Sequence, residues 1–155
     1  MYSTSAFSAS ATFTPAAASH TAGDSVGTAQ QFSFLNRDGG APSIGAHVCI
    51  ASATLHILTA TVETTAWKLH LFSVTPPSAL ADDAAFTLPA GDRAAYLGYI
   101  DFAQVLDLGD TLAIEATPNK QIKLAGTSVF GYLVNGTTLT PAAVAHNVTL
   151  HVREV

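Results

Sequence analysis

Residues 146–155 read HNVTLHVREV, and their alternation of aliphatic and polar side chains indicates the fold class. Val148, Leu150 and Val152 occur at every second position, so an extended chain places all three on one face and the intervening polar residues on the other. Strands of this kind belong to antiparallel sheets that bury one face and leave the other toward water. The stretch therefore predicts a half-buried β-strand.

The same alternation recurs upstream in short runs separated by turn-forming residues. Residues 67–74 (WKLHLFSV) place Trp67, Leu69 and Leu71 on the inward face. In residues 46–61 the predicted inward set is Cys49, Ala51, Ala53, Leu55 and Ile57. Other strand-like runs lie at residues 28–35, 94–102, 111–117, 121–125 and 129–134. The spacing of roughly 10 to 15 residues between turn signals is typical of a sandwich or barrel.

Two groups of residues predict tight turns. Residues 36–40 (NRDGG) contain the Asp-Gly and Gly-Gly pairs that accept positive φ angles. Asn135-Gly136 is the strongest short hairpin signal in the chain. We therefore expect residues 137–140 to begin a strand that returns along residues 129–134.

These strands predict an all-β chain, since no helical stripe of apolar residues is sustained. The predicted architecture is an antiparallel β-sandwich of about eight strands with jelly-roll-like topology. An immunoglobulin-like order is less favoured, because the Cys, Trp and Cys spacing of those domains is absent. Residues 1–22 are predicted to form an extended N-terminal arm or first strand, and residues 23–155 a single sandwich domain.

The longest predicted connection is residues 75–92 (TPPSALADDAAFTLPAGD). Pro76 and Pro77 cannot donate to a strand ladder. Long connections in small domains are usually functional or packed over the sandwich. We expect this one to carry a contact between subunits.

Composition restricts the partners. The chain has 155 residues, of which 48% are hydrophobic and only 11% charged, and its net charge is −5. It has no basic run to attract nucleic acid and no apolar run long enough to span a membrane, so neither is expected as a partner. The N-terminus lacks a secretory signal, which predicts synthesis in a cytoplasm. A weakly charged surface is easily desolvated against a protein neighbour, although an ordinary monomer with a Thr-rich surface is the alternative.

Candidate residues for chemistry are few. Cys49 is the only cysteine and lies in an apolar run, so a buried inert thiol is expected. His56 and His70 could converge on a zinc ion if their strands paired in the right register, but exposed positions on a sheet are the ordinary outcome. No catalytic motif is present. We therefore expect no enzymatic activity, no metal and no cofactor.

Carbohydrate binding is the main rival to a purely structural role. Sugar sites in sandwich proteins use exposed aromatic rings, and Trp67, Tyr96, Tyr99 and Tyr132 are available. Alternation, however, places Trp67 on the inward face of its strand. Simple alternation puts Tyr96 and Tyr99 on opposite faces of one strand, which would prevent a shared platform.

Long stretches of the chain resemble a known group of proteins. The runs TPPSALADDAAFTLPAGDRAAYLGYIDF, LDLGDTL and NKQIKLAGTSVFGYLV, with the opening ATFTPAAASHTAGDSVG and the ending VTLHVREV, resemble small structural proteins encoded in the virion modules of tailed bacteriophages and prophages. The resemblance implies a capsid decoration, or cement, protein on the outside of the virion. It also implies the major capsid protein as partner and self-association, most plausibly as a trimer. A tail-fibre or head-fibre domain that binds host-surface carbohydrate is the alternative.

An interface with the capsid or with other copies is expected to use apolar residues of the arm and of the long connection. The predicted interface residues are Tyr2, Phe7, Phe13, Pro76, Pro77, Leu80 and Phe86. Deletion of residues 1–20 is then expected to leave a folded domain that cannot occupy capsids.

Overall fold

The computed structural model describes residues 6–60, 65–103, 105–141 and 143–155. Within them the strands are β1 (Ala6–Phe13), β2 (Gln30–Ser33), β3 (His47–Ile57), β4 (Trp67–Phe72), β5 (Tyr96–Phe102), β6 (Leu106–Asp107), β7 (Leu112–Ala116), β8 (Lys120–Lys123), β9 (Ser128–Asn135) and β10 (His146–Glu154). The helical structure in this part of the chain is one 3₁₀ turn at Ala90–Asp92. No helix there is long and apolar enough to traverse a bilayer.

The strands form two antiparallel sheets that pack as a β-sandwich. Sheet one has the order β1-β10-β3-β7-β6, with β8 also paired to β3, and sheet two has the order β2-β9-β4-β5. β7 and β8 lie end to end along the same edge of β3, at 53–57 and 47–50 respectively, so they act as one interrupted strand. With that pair counted once and β6 set aside, the eight strands follow the jelly-roll order. The predicted fold class is confirmed.

The core lies between the inner faces of the two sheets. Trp67, Leu69 and Leu71 are fully buried, and Val148, Leu150 and Val152 are buried opposite them, as their alternation predicts. Burial of each large side chain stabilises the fold by roughly 1.5–3 kcal/mol.

Alternation fails at one point in β3. Across the pairing with β10, His151 lies opposite Ser52 but Val152 lies opposite Ile50, so Ala51 is an extra, bulged residue. The bulge reverses which residues before it face the core. Val48 and Ile50 point into the core, and the prediction that Cys49 and Ala51 face inward is wrong. Cys49 is nevertheless a buried free thiol.

The predicted hairpin at Asn135-Gly136 is also wrong. β9 ends at Asn135, and residues 137–140 do not return along it; Leu139 instead pairs with His20. The Asn135 side chain accepts a hydrogen bond from Asp24 N–H at 2.9 Å, which ties it to another segment. A Cβ atom on Gly136 would lie 2.7 Å from the Ala66 carbonyl oxygen. Glycine is therefore required here for a close backbone approach rather than for a two-residue turn.

The segment predicted as an extended arm or first strand contributes β1 to the body of the sandwich. β1 pairs with β10 over its whole length, from Ala6 opposite Arg153 to Phe13 opposite His146. Phe7 is 5% exposed and Phe13 is fully buried. The expectation that residues 1–20 can be deleted without loss of folding is incompatible with this packing.

Candidate functional site

The outer face of sheet one is polar where its strands β1, β10 and β3 lie side by side. In three successive rows, residues of β1, β10 and β3 lie side by side. We call this surface the polar grid; its rows are Ser8–His151–Ser52, Ser10–Thr149–Thr54 and Thr12–Asn147–His56. None of the nine residues is Asp, Glu, Lys or Arg. This distribution follows from strict alternation, because the intervening residues of the same strands fill the core.

Two pairs of side chains in the polar grid are hydrogen-bonded to each other. The hydroxyls of Ser10 and Thr149 are 2.8 Å apart, and the Thr12 hydroxyl donates to Asn147 Oδ1 at 2.8 Å. Groups already paired in this way lose less on leaving water than isolated polar groups do. The grid is therefore suited to contact with another protein surface.

The outer face of sheet two carries an aromatic cluster centred on His70. The ring of Phe86, from the long connection, stacks on the imidazole with centroids 3.9 Å apart. Burial, together with the nearby Lys68 ammonium, lowers the pKa of His70 to about 4. Burial also raises the pKa of Tyr96 above its ordinary value. His70 is thus neutral near pH 7, and its Nδ1 lies 3.0 Å from the Tyr96 hydroxyl, within hydrogen-bond distance.

Tyr96 and Tyr99 lie on the same face of β5, contrary to the prediction from alternation. Opposite β4, Gly98 pairs with Leu71 whereas Tyr96 pairs with Phe72, so Leu97 is a bulged residue that shifts parity by one. The centroids of Tyr99 and His70 are 5.6 Å apart. Gly98 has φ +89°, a conformation that favours glycine. The bulge therefore brings the two tyrosines into one cluster.

A groove of about 540 Å³ lies beside this cluster, between β5 and the end of β7. Its walls are formed by residues 99–101 and 103 on one side and residues 114–118 on the other. The Lys68 ammonium sits 4.5 Å from the centre of the Tyr99 ring and pairs with Asp101. That hydrogen bond raises the pKa of Lys68 above its usual 10.5.

The long connection is bound to the N-terminal half of the chain through Asp82 and His20. Asp82 accepts hydrogen bonds from Ala16 N–H and Gly27 N–H, both at 2.7 Å, and one from His20 Nε2 at 2.9 Å. The other imidazole nitrogen of His20 lies 3.0 Å from the Ala18 carbonyl. Both neighbours of the ring are acceptors, so the His20 imidazole must carry two protons to satisfy them.

The predicted interface residues have different environments. Phe7, Phe13 and Pro76 are buried, Leu80 and Phe86 are half-buried in a small cluster over sheet two, and Pro77 is exposed. Tyr2 lies outside the described residues. The predicted long connection packs along sheet two, where the Tyr132 hydroxyl donates to Ser78 O at 3.1 Å.

His56 and His70 do not converge. His56 belongs to the polar grid on sheet one, whereas His70 lies on the outer face of sheet two. In the part of the chain that the structure describes, no three His, Cys, Asp or Glu side chains are grouped as metal ligands.

Comparisons with known proteins give similarity in structure but not in sequence. No protein-family model matches the chain, and no curated protein matches it. Similar solved structures include PRD1 vertex protein P5 (13% identity, 98% of this chain and 97% of that chain, TM-score 0.39). Others are a chain of Desmodium yellow mottle tymovirus (11%, 99% and 89%, 0.31) and one of a Macrobrachium rosenbergii nodavirus virus-like particle (14%, 98% and 93%, 0.31). These neighbours are viral structural proteins.

Proposed function

We propose that this protein is a non-enzymatic virion structural protein that decorates a capsid. It is made in the host cytoplasm, binds the exterior of the shell and bridges neighbouring subunits of the major capsid protein. The observation that carries the proposal is the polar grid, nine side chains without Asp, Glu, Lys or Arg on three paired strands. The sequence resemblance to phage virion proteins supports the same role.

The chemistry of the polar grid suits a protein partner. Contact removes water from the whole surface at once, and a buried charge without a partner would oppose it strongly. The grid presents hydroxyl, amide and imidazole groups instead. When copies of a decorating protein are joined in an oligomer, the modest contacts of the linked copies combine into durable attachment.

Residues outside the grid extend the proposed interface. Pro77 is exposed on the long connection, and Leu80 and Phe86 retain partial exposure beside it. Tyr2 is a further proposed contact of this interface. Phe7, Phe13 and Pro76 act indirectly, since their burial stabilises β1 and the long connection.

A charge placed in the polar grid tests the proposal. Ser10→Arg adds a cation to an exposed position of β1, at one end of the middle row of the grid. We expect capsid occupancy, measured by co-sedimentation with undecorated shells, to fall by about tenfold or more, since one buried unpaired charge outweighs the roughly 1.4 kcal/mol that tenfold represents. Thr138→Arg, at an exposed loop position away from the grid, is the matched control. Equal occupancy of both variants, with unchanged melting temperatures, would contradict the proposal.

Self-association is a second expectation of the same role. We expect sedimentation velocity at tens of micromolar to give a species about three times the 16.0 kDa chain mass, consistent with a trimer at a threefold position. A stable monomer at that concentration would contradict the trimer while leaving the capsid-binding test in place.

A further inference from the structure

The two edges of sheet two differ, because one is covered by the long connection and the other is open. On the β2 side, residues 83–86 run beside residues 23–25, with Ser25 N–H donating to Ala84 O at 2.9 Å and Phe86 N–H donating to Gly23 O at 2.8 Å. Residues 23–25 in turn pair with the end of β9. The long connection thus covers that edge. On the other side β5 is an edge strand, and the groove beside it is open.

The open edge also carries features that oppose addition of another strand. Pro118, on the β7 side of the groove, has no N–H to offer a ladder. The Leu97 bulge interrupts β5, and the Lys120 ammonium occupies the space beside Gly98, 2.7 Å from where a Cβ would be. Bulges, prolines and lysines at edges are the usual protection against strand pairing. An extended peptide is therefore a poor occupant of this groove.

The groove instead matches a small polyhydroxylated ligand. Tyr99 is 46% exposed, and its ring contacts the His70 imidazole and the Lys68 ammonium. Asp101, Glu115 and Thr117 line the same groove, and their side-chain oxygens are of the kind that accept hydrogen bonds from hydroxyl groups. Its volume lies within the range of small-molecule sites.

We propose that the groove between β5 and β7 binds a neutral saccharide, with one sugar ring packed on Tyr99 and its hydroxyls bonded to Asp101 and Glu115. The axial C–H groups of a pyranose present an apolar, weakly positive surface to the negative face of an aromatic ring. Lys68 serves as a positioning residue, because its pairing with Asp101 and its place on Tyr99 fix both groups. This inference does not rest on the proposed capsid role.

The test is an NMR titration of the full chain with lactose, maltose and N,N′-diacetylchitobiose, each to about 20 mM, enough to saturate a millimolar site. We expect at least one sugar to shift the amide signals of residues 99–103 and 114–118. Tyr99→Ala and Asp101→Asn are expected to weaken that binding by about tenfold each. Ile44 is 79% exposed and does not line the groove. Ile44→Ala is therefore expected to leave the affinity for the sugar unchanged.

Two results would overturn the inference. One is the absence of shifts in the groove residues with all three sugars. The other is a titration in which Tyr99→Ala and Ile44→Ala retain the wild-type affinity, which would place the sugar elsewhere. Capsid co-sedimentation of Tyr99→Ala, expected to match that of the wild type, separates failure of the sugar site from failure of the decoration role.

Discussion

Deletion of residues 1–13 is expected to unfold the protein rather than merely to release it from a capsid. The deletion removes all eight residues of β1 and leaves one edge of β10 unpaired, with β3 as its remaining partner. It also removes Phe7 and Phe13 from the core, where Phe13 packs against Phe32 with ring centroids 6.3 Å apart. Loss of one buried Phe side chain alone costs about 3–5 kcal/mol, against a total stability of roughly 5–15 kcal/mol for a domain. Circular dichroism and urea titration of the truncated chain should show no cooperative transition.

A shorter deletion, of residues 1–5, provides the control because it keeps β1 whole from Ala6. We expect this variant to melt cooperatively near the wild-type temperature. Its occupancy of capsids then tests Tyr2 without the loss of the fold. Cooperative unfolding of the longer truncation at wild-type stability would show that β1 is dispensable, contrary to its packing.

Strand positions and their buried faces were predictable because alternation is a local property. In β4 and β10 the apolar residues at every second position lie in the core, and no distant residue alters that pattern. The bulges at Ala51 and Leu97 were not predictable, since each is defined by a mismatch with a neighbouring strand. One extra residue moves every following side chain of the strand to the opposite face from the one that simple alternation predicts. The errors at Cys49 and Tyr96 both arise from that reversal.

The candidate sites depend still more on distant pairing. The polar grid follows from alternation once β1, β10 and β3 are known to be neighbours, but that order comes from the jelly-roll topology. Asp82, for example, is hydrogen-bonded to His20, 62 residues away in sequence. Nothing in the local pattern of either residue indicates the contact. The sequence alone therefore predicts which faces are polar but not which polar groups meet.

The contact between His20 and Asp82 is expected to make stability depend on pH. Burial lowers the pKa of His20, but the hydrogen bond to Asp82, with smaller contributions from Ala18 O and Asp83, raises it above 6.5 overall. Burial raises the pKa of Asp82, but its bonds from Ala16 N–H, His20 and Gly27 N–H lower it below 3.8 overall. His20 thus contributes stability that is complete below pH 6.5 and is lost as pH rises through its folded pKa. Asp82 contributes stability that is present above pH 3.8 and is lost as pH falls through its folded pKa.

Asp82→Asn is therefore expected to destabilise the protein most between pH 3.8 and 6.5, where both partners are charged. The loss should be roughly 3 kcal/mol, at the low end for a buried pair because Asp82 keeps 24% of its side chain exposed. Urea titrations at about pH 5 and about pH 9 measure the change, and the difference between wild type and variant should shrink at the higher pH as His20 loses its proton. Asp83→Asn is the matched control, since Asp83 lies 3.9 Å from the ring and is 44% exposed. An equal difference at both pH values would mean that the hydrogen bonds from Ala16 and Gly27, rather than the charged imidazole, account for what Asp82 contributes.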